Sequence, residues 1–487
     1  MGNSDELTAQ GFIKKLVGFS MASWLSAAIS FLATPIFTRL YLPEEIGHIN
    51  LFTTFTTFFQ TISVFALDQA YMRFYNERLN GLSKENLLSY CLKINLSISL
   101  FSTMIILIGN RYFSIQISGE ENFLIPTCLS IAVVCSTFLR MSSVSSRMEK
   151  NIFQYTLQVV LTTFVEKVIF TFAAFFRPEH KAAIMIMTAG YIIICTVFFV
   201  LKRKSSLLPA YDIPRNTTEI ILKFSVPYLP VLLLSWLNNS IPLLVLKKYV
   251  DYSSIGIYTN AVTISSILTI LQTGFTAYWS PFIYEHYKDE KNKEKIQRIE
   301  KIVILTLLFA ATNIVLFQDI IYLLVGEKFR ASKVFFPFLM LTPVCNVIAD
   351  MTGIGIMLSK KSYLNIFTFL GNSSVNLLLS FLLVPKIGVV GAGIAVGASA
   401  LVMLSIRSYL GGRYYRIGES YRFIIEALLM MICACIINMM FAEQVIIKSL
   451  LLILILVILF VRYKSEFMYL ISLAYRLLIN SIKKSRR

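Results

Sequence analysis

Fourteen apolar segments of bilayer length, separated by short polar or charged breaks, run along the whole chain. They comprise residues 12–38, 48–67, 88–109, 123–139, 153–175, 182–201, 221–246, 255–279, 302–317, 334–351, 363–383, 387–406, 423–441 and 445–461. A helix needs about 20 apolar residues to cross a membrane, and no soluble domain could bury so many segments of that length. A membrane barrel would instead alternate polar and apolar residues in runs of about 10. The sequence therefore predicts an all-α, polytopic membrane protein with about 14 transmembrane helices, and it excludes a water-soluble enzyme.

The basic residues between these segments predict the orientation of the chain. If the N-terminus lies inside, the inward breaks carry 32 Lys and Arg residues and the outward breaks carry 11. Lys and Arg are enriched on the cytoplasmic side of membrane proteins, so both termini are expected to be cytoplasmic. The net charge of +18 then reflects topology, and no nucleic-acid partner is predicted.

Weak internal similarity indicates a duplicated unit. Ile46-Gly47 recurs as Ile255-Gly256 and Ala70-Tyr71 recurs as Ala277-Tyr278, at offsets of 209 and 207 residues. A repeat of six spans is even, so both copies insert the same way up, related by an axis along the membrane normal. We therefore expect two pseudo-symmetric six-helix lobes followed by a C-terminal helix pair. The predicted domains are an N-lobe at 1–201, a cytoplasmic linker at 202–220, a C-lobe at 221–410, and helices 13 and 14 with a basic cytoplasmic tail at 411–487.

Prolines interrupt corresponding helices of the two predicted lobes. Pro35 lies in span one, and Pro227, Pro230 and Pro242 lie in span seven. Interrupted helices at matched places are a pointer to the moving, site-lining elements of transporters, which makes these prolines gating candidates. The alternative is that neighbouring helices absorb simple kinks.

Polar stripes run along spans two and eight. Span two carries Thr57 and Thr61, and span eight carries Thr269 and Gln272, each at helical spacing within a longer row of hydroxyl and amide residues. A polar stripe in lipid must face protein or water, so the two stripes are candidates to line a shared hydrophilic cavity. Hydrogen bonding between helices is the alternative.

Ionisable residues inside the bilayer are the sharper signal. Glu166 and Lys167 lie near the middle of span five, where an ionised side chain costs about 2.5–3.5 kcal/mol on insertion scales. Lys167 is therefore a candidate ligand for a phosphate, and Glu166 is a candidate for proton or ion coupling, unless both form internal ion pairs. Arg39, Asp68 and Arg140 lie at span ends, where solvation by water is the default interpretation. Arg39 remains a candidate because it follows span one, and Asp68 because it ends the stripe of span two.

Two tryptophans, Trp24 and Trp236, lie in the proline-containing spans and could stack on sugar rings or pack against lipid and protein. The three histidines are far apart in sequence and lack the spacing of metal ligands, so no metal site is predicted. The chain has no phosphate-binding loop or nucleophile elbow, so no cofactor, no ATP-driven motor and no enzymatic activity are predicted.

Residues 39–47, 255–261, 326–331 and 391–395 resemble the polysaccharide-biosynthesis flippase family of the multidrug/oligosaccharidyl-lipid/polysaccharide (MOP) exporter superfamily. Ile46 and His48 stand where that family more often has aromatic residues. The resemblance implies two lobes around a cavity that opens alternately to each side of the bacterial inner membrane. It further implies a flippase that moves polyprenyl-diphosphate-linked oligosaccharide repeat units to the outer leaflet, for O-antigen (lipopolysaccharide), capsule or exopolysaccharide synthesis.

The implied partners are that lipid-linked oligosaccharide, membrane lipid, and the polysaccharide polymerase and glycosyltransferases of the same pathway. A diphosphate requires cationic ligands, for which Lys167, Arg39 and Lys247 are the candidates. The polar stripes of spans two and eight would bind the sugars, and the polyprenyl tail would stay in lipid.

Three alternatives compete with this interpretation. A cation-coupled drug antiporter of the same superfamily is expected to carry an acidic residue in the first helix, but residues 12–38 contain no Asp or Glu. A lipid II flippase is expected to have several Arg residues in helices one and eight, but span eight is uncharged. A membrane polysaccharide polymerase usually needs a large outward loop, and the longest one here, residues 318–333, is short.

Overall fold

The computed structural model describes residues 9–77, 83–202, 215–286, 293–359, 361–415, 421–469 and 472. All regular structure in these residues is helical. The α-helices in chain order are α1 Ala9–Leu40, α2 Pro43–Val64, α3 Leu67–Phe74, α4 Lys84–Ile108, α5 Asn110–Ser118, α6 Leu124–Met148, α7 Ile152–Phe164, α8 Phe170–Ala173, α9 His180–Leu201, α10 Arg215–Tyr249, α11 Tyr252–Ser265, α12 Ile267–His286, α13 Lys293–Leu316, α14 Gln318–Leu324, α15 Phe336–Thr352, α16 Ile354–Leu358, α17 Asn365–Tyr414, α18 Tyr421–Met440 and α19 Val445–Arg462. A π-helical turn, Val165–Ile169, joins α7 to α8, and short 3-10 helices occupy Glu327–Val334 and Ser362–Leu364.

The predicted multi-pass, all-α architecture is confirmed. Among the described residues, ten helices are long and apolar enough to cross a membrane, or up to twelve when two bent pairs are each counted as one span. The 50-residue α17 contains two predicted spans, because Ile387 and Gly388 leave helical geometry and Gly388 adopts a φ of 56°. Glycine is the residue that adopts this left-handed conformation without steric cost. The predicted span 48–67 lies on α2, which is not among the ten and carries five threonines that lower its hydropathy.

Spatial proximity divides the chain into two compact units. The first unit comprises Met1–Thr263, Val325–Arg330 and Ser373–Ala392, and the second comprises Ile264–Leu324, Ala331–Asn372 and Gly393–Arg487. The predicted lobe boundaries remain a prediction. Residues 203–214, most of the predicted linker, lie outside the described residues, as does most of the predicted basic tail.

The first unit has a buried apolar core where α3, α4, α6 and α10 meet. Leu67, Tyr71, Cys91, Met141 and Ile221 are each at most 1% exposed there. The core forms because α4 and α6 place apolar side chains on their facing sides at helical spacing. The N-terminus of α4 is capped by Ser83, whose hydroxyl accepts a hydrogen bond from Asn86 N. The core and the cap thus join the start of α4 to α3, α6 and α10.

Two departures from α-helical geometry shape the interior of the first unit. Phe65 and Ala66 have φ values of 49° and 54°, so the chain turns sharply between α2 and α3. Left-handed residues other than glycine are uncommon and cost about 1–3 kcal/mol, and they cluster at functional sites. The π-helical turn Val165–Ile169 is the second departure, and such turns are likewise frequent at functional sites.

The second unit is tied together by buried polar contacts at two places. The Arg407 guanidinium lies 2.9 Å from Asp350 Oδ1, and Thr276 donates to Asp350 Oδ2 at 2.7 Å. At the other place, the fully buried Lys448 ammonium contacts Asp319. Beside it, Asn438 Nδ2 donates to Lys333 O at 2.8 Å, and Gln318 donates to the Asn438 side-chain oxygen.

Candidate functional site

Two adjoining pockets open inside the first unit, and together they form the candidate site, called the polar cavity below. One has a volume of about 230 Å³ and lies between α2, α6, α7 and α9; the other has about 300 Å³ and lies between α2, α6 and α10. Gln60 and Arg140 line both pockets. The other polar side chains that line them are Thr56, Thr57, Thr61, Asp68, Ser136, Ser143, Gln158, Thr162, Thr163, Glu166, Tyr191, Ser235, Trp236 and Asn239.

Arg140 is the cation of the polar cavity. Its Nε and Nη2 atoms donate to Asp68 Oδ2 at 3.1 and 2.8 Å. The Arg140 side chain is 49% exposed, whereas the Asp68 side chain is 2% exposed. Asp68 thus fixes one edge of the guanidinium and leaves the rest facing the cavity. An arginine held in this way can donate to a second anion, because a guanidinium has five N–H donors.

The left-handed pair Phe65–Ala66 explains why Asp68 lies at this place. The turn starts α3 afresh, and Asp68 occupies its first turn, where it accepts a hydrogen bond from Gln69 N at 2.9 Å. A carboxylate near a helix N-terminus is stabilised by the unpaired N–H groups of that end. The geometry therefore supports a buried carboxylate beside Arg140 in the wall of the polar cavity.

Glu166 supplies the negative charge on the other side of the cavity. It lies in the π-helical turn and accepts a hydrogen bond from the Tyr191 hydroxyl at 2.6 Å. Thr163 lies one turn earlier and donates to Ser26 Oγ at 2.9 Å, which joins α7 to α1. Glu166 is thus a cavity-lining carboxyl group on a locally distorted helix, and its predicted coupling role remains a prediction.

Trp236 and the side-chain amide of Gln60 complete the wall of the polar cavity. Trp236 Nε1 lies 3.3 Å from Thr54 O and 3.2 Å from Thr57 Oγ1, and its ring lies 4.6 Å from that of Phe58. Gln60 Nε2 donates to Ser136 O at 2.8 Å. An indole with a fixed N–H and an open face suits the apolar face of a sugar ring, and the hydroxyl and amide groups suit its hydroxyls.

The structure brings some of the predicted site residues together. Thr57, Thr61, Trp236, Asp68 and Glu166 all line the polar cavity. Sequence reasoning missed Arg140 as a functional residue, because its position at a span end favoured solvation. No local signal pairs Arg140 with Asp68, because the two residues are 72 positions apart in sequence.

Other predicted residues of the first unit do not line either pocket. Lys167 is half-buried next to Glu166, and Arg39 is exposed in the last turn of α1. Lys247 donates to the Gln116 side chain at the end of α10. Trp24 is half-buried, and its Nε1 atom has no hydrogen-bond partner within the described residues. Their predicted roles remain predictions.

The remaining candidates occupy α12 and the proline-containing helices. Thr269 is exposed and Gln272 half-buried, both on α12 in the second unit. The helices α1 and α10 continue through their prolines, Pro35 in α1 and Pro227, Pro230 and Pro242 in α10. Within the described residues, no group of three or more His, Cys, Asp or Glu side chains is placed to hold a metal ion.

A close crossing of α2 and α11 lies at one end of the first unit. A Cβ atom added to Gly47 would lie 1.9 Å from Tyr252 O, and one added to Gly256 would lie 1.9 Å from Pro43 O. The offset of the predicted repeat, 209 residues, relates Gly47 to Gly256 and Pro43 to Tyr252, so the two contacts are equivalent under the repeat. Asn50 and Thr259 are related by the same offset, and Asn50 Nδ2 donates to Thr259 Oγ1 at 3.0 Å. Residues at equivalent positions of the predicted repeat therefore contact each other here, and we call this contact the repeat crossing.

Comparisons with known proteins were made for the whole chain. A family model described as "Polysaccharide biosynthesis protein" matches residues 12–286. The "Capsular polysaccharide biosynthesis protein CapF" of Staphylococcus aureus is 22% identical over 234 residues, which are 46% of this chain and 59% of CapF. The match thus spans less than two thirds of that relative's length.

Solved structures share the fold. The lipid II flippase MurJ, in its inward closed conformation, superposes with a TM-score of 0.69 at 13% identity, over 92% of this chain and 99% of MurJ. An inward-facing multidrug resistance MATE family transporter of the MOP superfamily gives a TM-score of 0.57 at 17% identity, over 80% of this chain and 94% of that protein. At these identities the likeness is one of fold.

Proposed function

Because the chain belongs to the polysaccharide biosynthesis protein family and has the fold of MOP superfamily transporters, we propose that it is a flippase for polyprenyl-diphosphate-linked oligosaccharides. It carries the repeat units from the cytoplasmic to the outer leaflet of the bacterial inner membrane by alternating access. The observation that carries the proposal is the polar cavity, which combines a half-exposed arginine with hydroxyl, amide and indole groups inside a membrane protein.

The diphosphate is bound by Arg140. A guanidinium forms paired, charge-assisted hydrogen bonds with phosphate oxygens, and these bonds are strong where water is scarce. Asp68 holds Arg140 in place and limits its positive charge, so the headgroup binds and is later released. The predicted ligands Lys167, Arg39 and Lys247 lie outside the polar cavity in this structure, and Arg140 is therefore the first residue to test.

The sugars bind along α2 and α10. Thr57, Thr61 and Asn239 offer hydrogen bonds, and Trp236 offers an aromatic face. The polyprenyl tail needs no site in the cavity, because hydrocarbon is already well solvated by lipid. Only the polar part of the substrate has to be shielded from lipid while it moves between the leaflets. The polar side chains that line the two pockets suit this polar part.

The proposal is tested first by lipid analysis of a strain that lacks the gene. We expect complete lipid-linked repeat units to accumulate in the inner leaflet, protected from an impermeant reagent that oxidises sugars, and surface polymer to disappear. Complementation with the wild-type gene restores both, and complementation with a vector alone serves as the control.

Two other outcomes would contradict the proposal. If the intermediates are exposed to the reagent and single repeat units still reach the surface, the protein acts in polymerisation. If the sugar lipids are unchanged, flipping is excluded, and a cation-coupled drug antiporter with this fold becomes the function to test.

Glu166 is proposed to couple transport to an ion gradient. A Glu166→Gln variant keeps the hydrogen bond from Tyr191 but cannot exchange a proton or balance a bound cation. We expect it to insert normally and to flip substrate without any dependence on an imposed proton or sodium gradient. Reconstituted vesicles with and without each gradient measure this, and Tyr191→Phe is the matched control, since it removes the hydrogen bond and keeps the carboxylate. A Glu166→Gln protein that still responds to a gradient would assign coupling to another residue.

A further inference from the structure

A pair of buried histidines lies beside the repeat crossing, and the proposed function does not use it. The rings of His48 and His180 lie 4.2 Å apart between centroids, and the ring of Tyr252 lies 4.0 Å from that of His48. His48 is 4% exposed and His180 is 9% exposed. His48 directly follows Gly47, and Tyr252 carries the carbonyl that Gly47 contacts, so the ring stack is part of the crossing itself.

The hydrogen bonds of the two rings determine where a further proton can bind. His48 Nδ1 lies 2.6 Å from Ile117 O, so this nitrogen must carry a hydrogen and donate it. His180 Nδ1 lies 2.8 Å from the Glu45 carboxylate and donates in the same way. In each neutral ring the other nitrogen, Nε2, is then the site that accepts a proton. His180 Nε2 is buried and has no hydrogen-bond partner within the described residues.

The charges around the pair favour one added proton and oppose a second. Glu45 also accepts a hydrogen bond from His180 N, so it can balance one positive charge. Lys247 faces the pair from α10, with its ammonium 5.7 Å from the Tyr252 ring centroid. A hydrogen bond from the Lys181 ammonium, at 2.6 Å, holds the pKa of the exposed Glu120 carboxyl below its ordinary value. The ionisable groups that face the pair from the surrounding elements are Tyr41, Glu44, Glu45, Glu120, Lys181, Lys247 and Tyr252.

We propose that His48 and His180 form a proton-binding site that holds the repeat crossing closed when at most one ring is charged and releases it when both are. Two imidazolium ions in contact, buried beside a lysine, repel each other strongly. The closed crossing therefore binds the second proton more weakly than a separated one, so falling pH favours separation of α2 from α11. In the predicted orientation this site faces the outside of the cell. The proposal is independent of the transported substrate.

The experiment uses histidine-selective isotope labelling of the full chain in nanodiscs. The protein has only three histidines, so His48, His180 and His286 give three assignable signals, and His286 is the internal reference. We expect His48 and His180 to titrate together, in two steps separated by more than about one pH unit, as strongly interacting sites do. Amide hydrogen exchange is measured over the same pH range and corrected for its intrinsic pH dependence. The protection factors of the amides of residues 255–262 should fall about tenfold or more as the second histidine is protonated. A helix segment away from the site, residues 128–139, serves as the exchange reference.

Variants separate the two parts of the proposal. His48→Phe keeps an aromatic ring against Tyr252 and removes one titrating group, so a single step should remain and the exchange protection should no longer depend on pH. If His48→Phe fails to fold, His180→Gln is used instead, because it removes the other titrating ring and should likewise leave a single step. Glu121→Gln is the matched control at the same end, because Glu121 forms an exposed pair with Arg111 and lies off the ring stack.

The outcomes are decisive for each part. If the two histidines titrate independently of each other, there is no shared proton-binding site. If they titrate as a coupled pair and the amide protection stays constant, the site exists and does not control the crossing. Neither result depends on substrate, so failure here leaves the flippase proposal untouched, and unchanged sugar lipids in the deletion strain leave this proposal untouched.

Discussion

Replacing Gly256 with alanine is expected to open the repeat crossing and to abolish most of the transport. The added methyl group would lie 1.9 Å from Pro43 O, a backbone atom that cannot move without moving α2. Overpacking of this kind costs about 1–3 kcal/mol, and a shift of that size changes a two-state equilibrium about 5- to 150-fold. The flipping rate in reconstituted vesicles, measured with a lipid-linked oligosaccharide, is the readout, together with amide exchange at residues 255–262.

Two further variants identify the cause of the loss. In Gly47→Ala the added methyl group would lie 1.9 Å from Tyr252 O, in the equivalent contact. The flipping rate of the double variant should therefore be little lower than that of either single variant. Sites that act through one shared contact are not additive. Gly109→Ala is the matched control, because its nearest neighbour is a Phe113 ring carbon at 3.0 Å that can move aside. If the losses of flipping rate in the two single variants add fully in the double variant, the two glycines do not act through one shared contact. The same conclusion follows if either single variant transports at the normal rate.

Arg140→Gln is expected to give the second large effect, a loss of both flipping and stability. Removing the guanidinium leaves the buried Asp68 carboxylate without its cation; because Arg140 is 49% exposed, we expect a loss of stability below the cost of breaking a fully buried ion pair, which is about 3–5 kcal/mol. The double variant Asp68→Asn/Arg140→Gln has no buried charge at this place, so its stability should recover. Its flipping should not recover, since the ligand of the diphosphate is still missing. Thermal unfolding in detergent and the flipping rate report the two effects separately.

Arg140→Lys and Arg147→Gln complete this series. A lysine keeps the charge but forms no paired contacts with a diphosphate, so we expect a partial loss of rate at normal stability. Arg147 lies two turns further along α6 and is exposed, so Arg147→Gln should behave like the wild type. Recovery of flipping in the neutral double variant would show that Arg140 serves only as the partner of Asp68.

The helical, multi-pass type of the chain could be predicted from the sequence, because length and apolar content alone decide whether a segment can cross a bilayer. The count was less predictable: fourteen spans were predicted, whereas ten helices of the described residues pass as spans, or up to twelve with the two bent pairs. The difference arises where a predicted segment is divided between two helices, as 255–279 is between α11 and α12, or where two predicted segments lie on one helix, as on α17. The six-span repeat stays a prediction, and its offset relates residues that are in contact. Ile46-Gly47 and Ile255-Gly256 were matched by offset, and their glycines lie in equivalent places at the repeat crossing.

The polar cavity was only partly predictable. A stripe of hydroxyl and amide residues at helical spacing shows that one face of α2 is polar, and that face does line the cavity. A polar stripe at helical spacing also occurs in α12. The sequence alone does not show whether such a stripe lines a cavity or forms hydrogen bonds between helices. Thr269 and Gln272 line neither pocket of the first unit, and their role is still a prediction.

Arg140 could not be found by local reasoning, because its partner is 72 residues away in sequence. Their meeting depends on the left-handed turn at Phe65 and Ala66, which are not residues that ordinarily indicate such a turn. The π-helical turn that carries Glu166 also lacks a local signal, since neither glycine nor proline marks it. Both features are set by packing between helices, which a single sequence does not display.

The buried contacts of the last two helices determine where this chain can be shortened. Lys448 on α19 is the partner of Asp319. Asn438 on α18 donates to the backbone carbonyls of Lys333 and Val334, and its side-chain oxygen accepts from Gln318. A protein cut before α18 would have the twelve spans predicted for the two lobes, but it would expose a carboxylate and two backbone carbonyls that had been satisfied inside the second unit. Lys301 and Glu466, 2.5 Å apart, extend the same linkage beyond the end of α19. A minimal version of this protein for structural or biochemical work therefore has to retain the chain through Glu466.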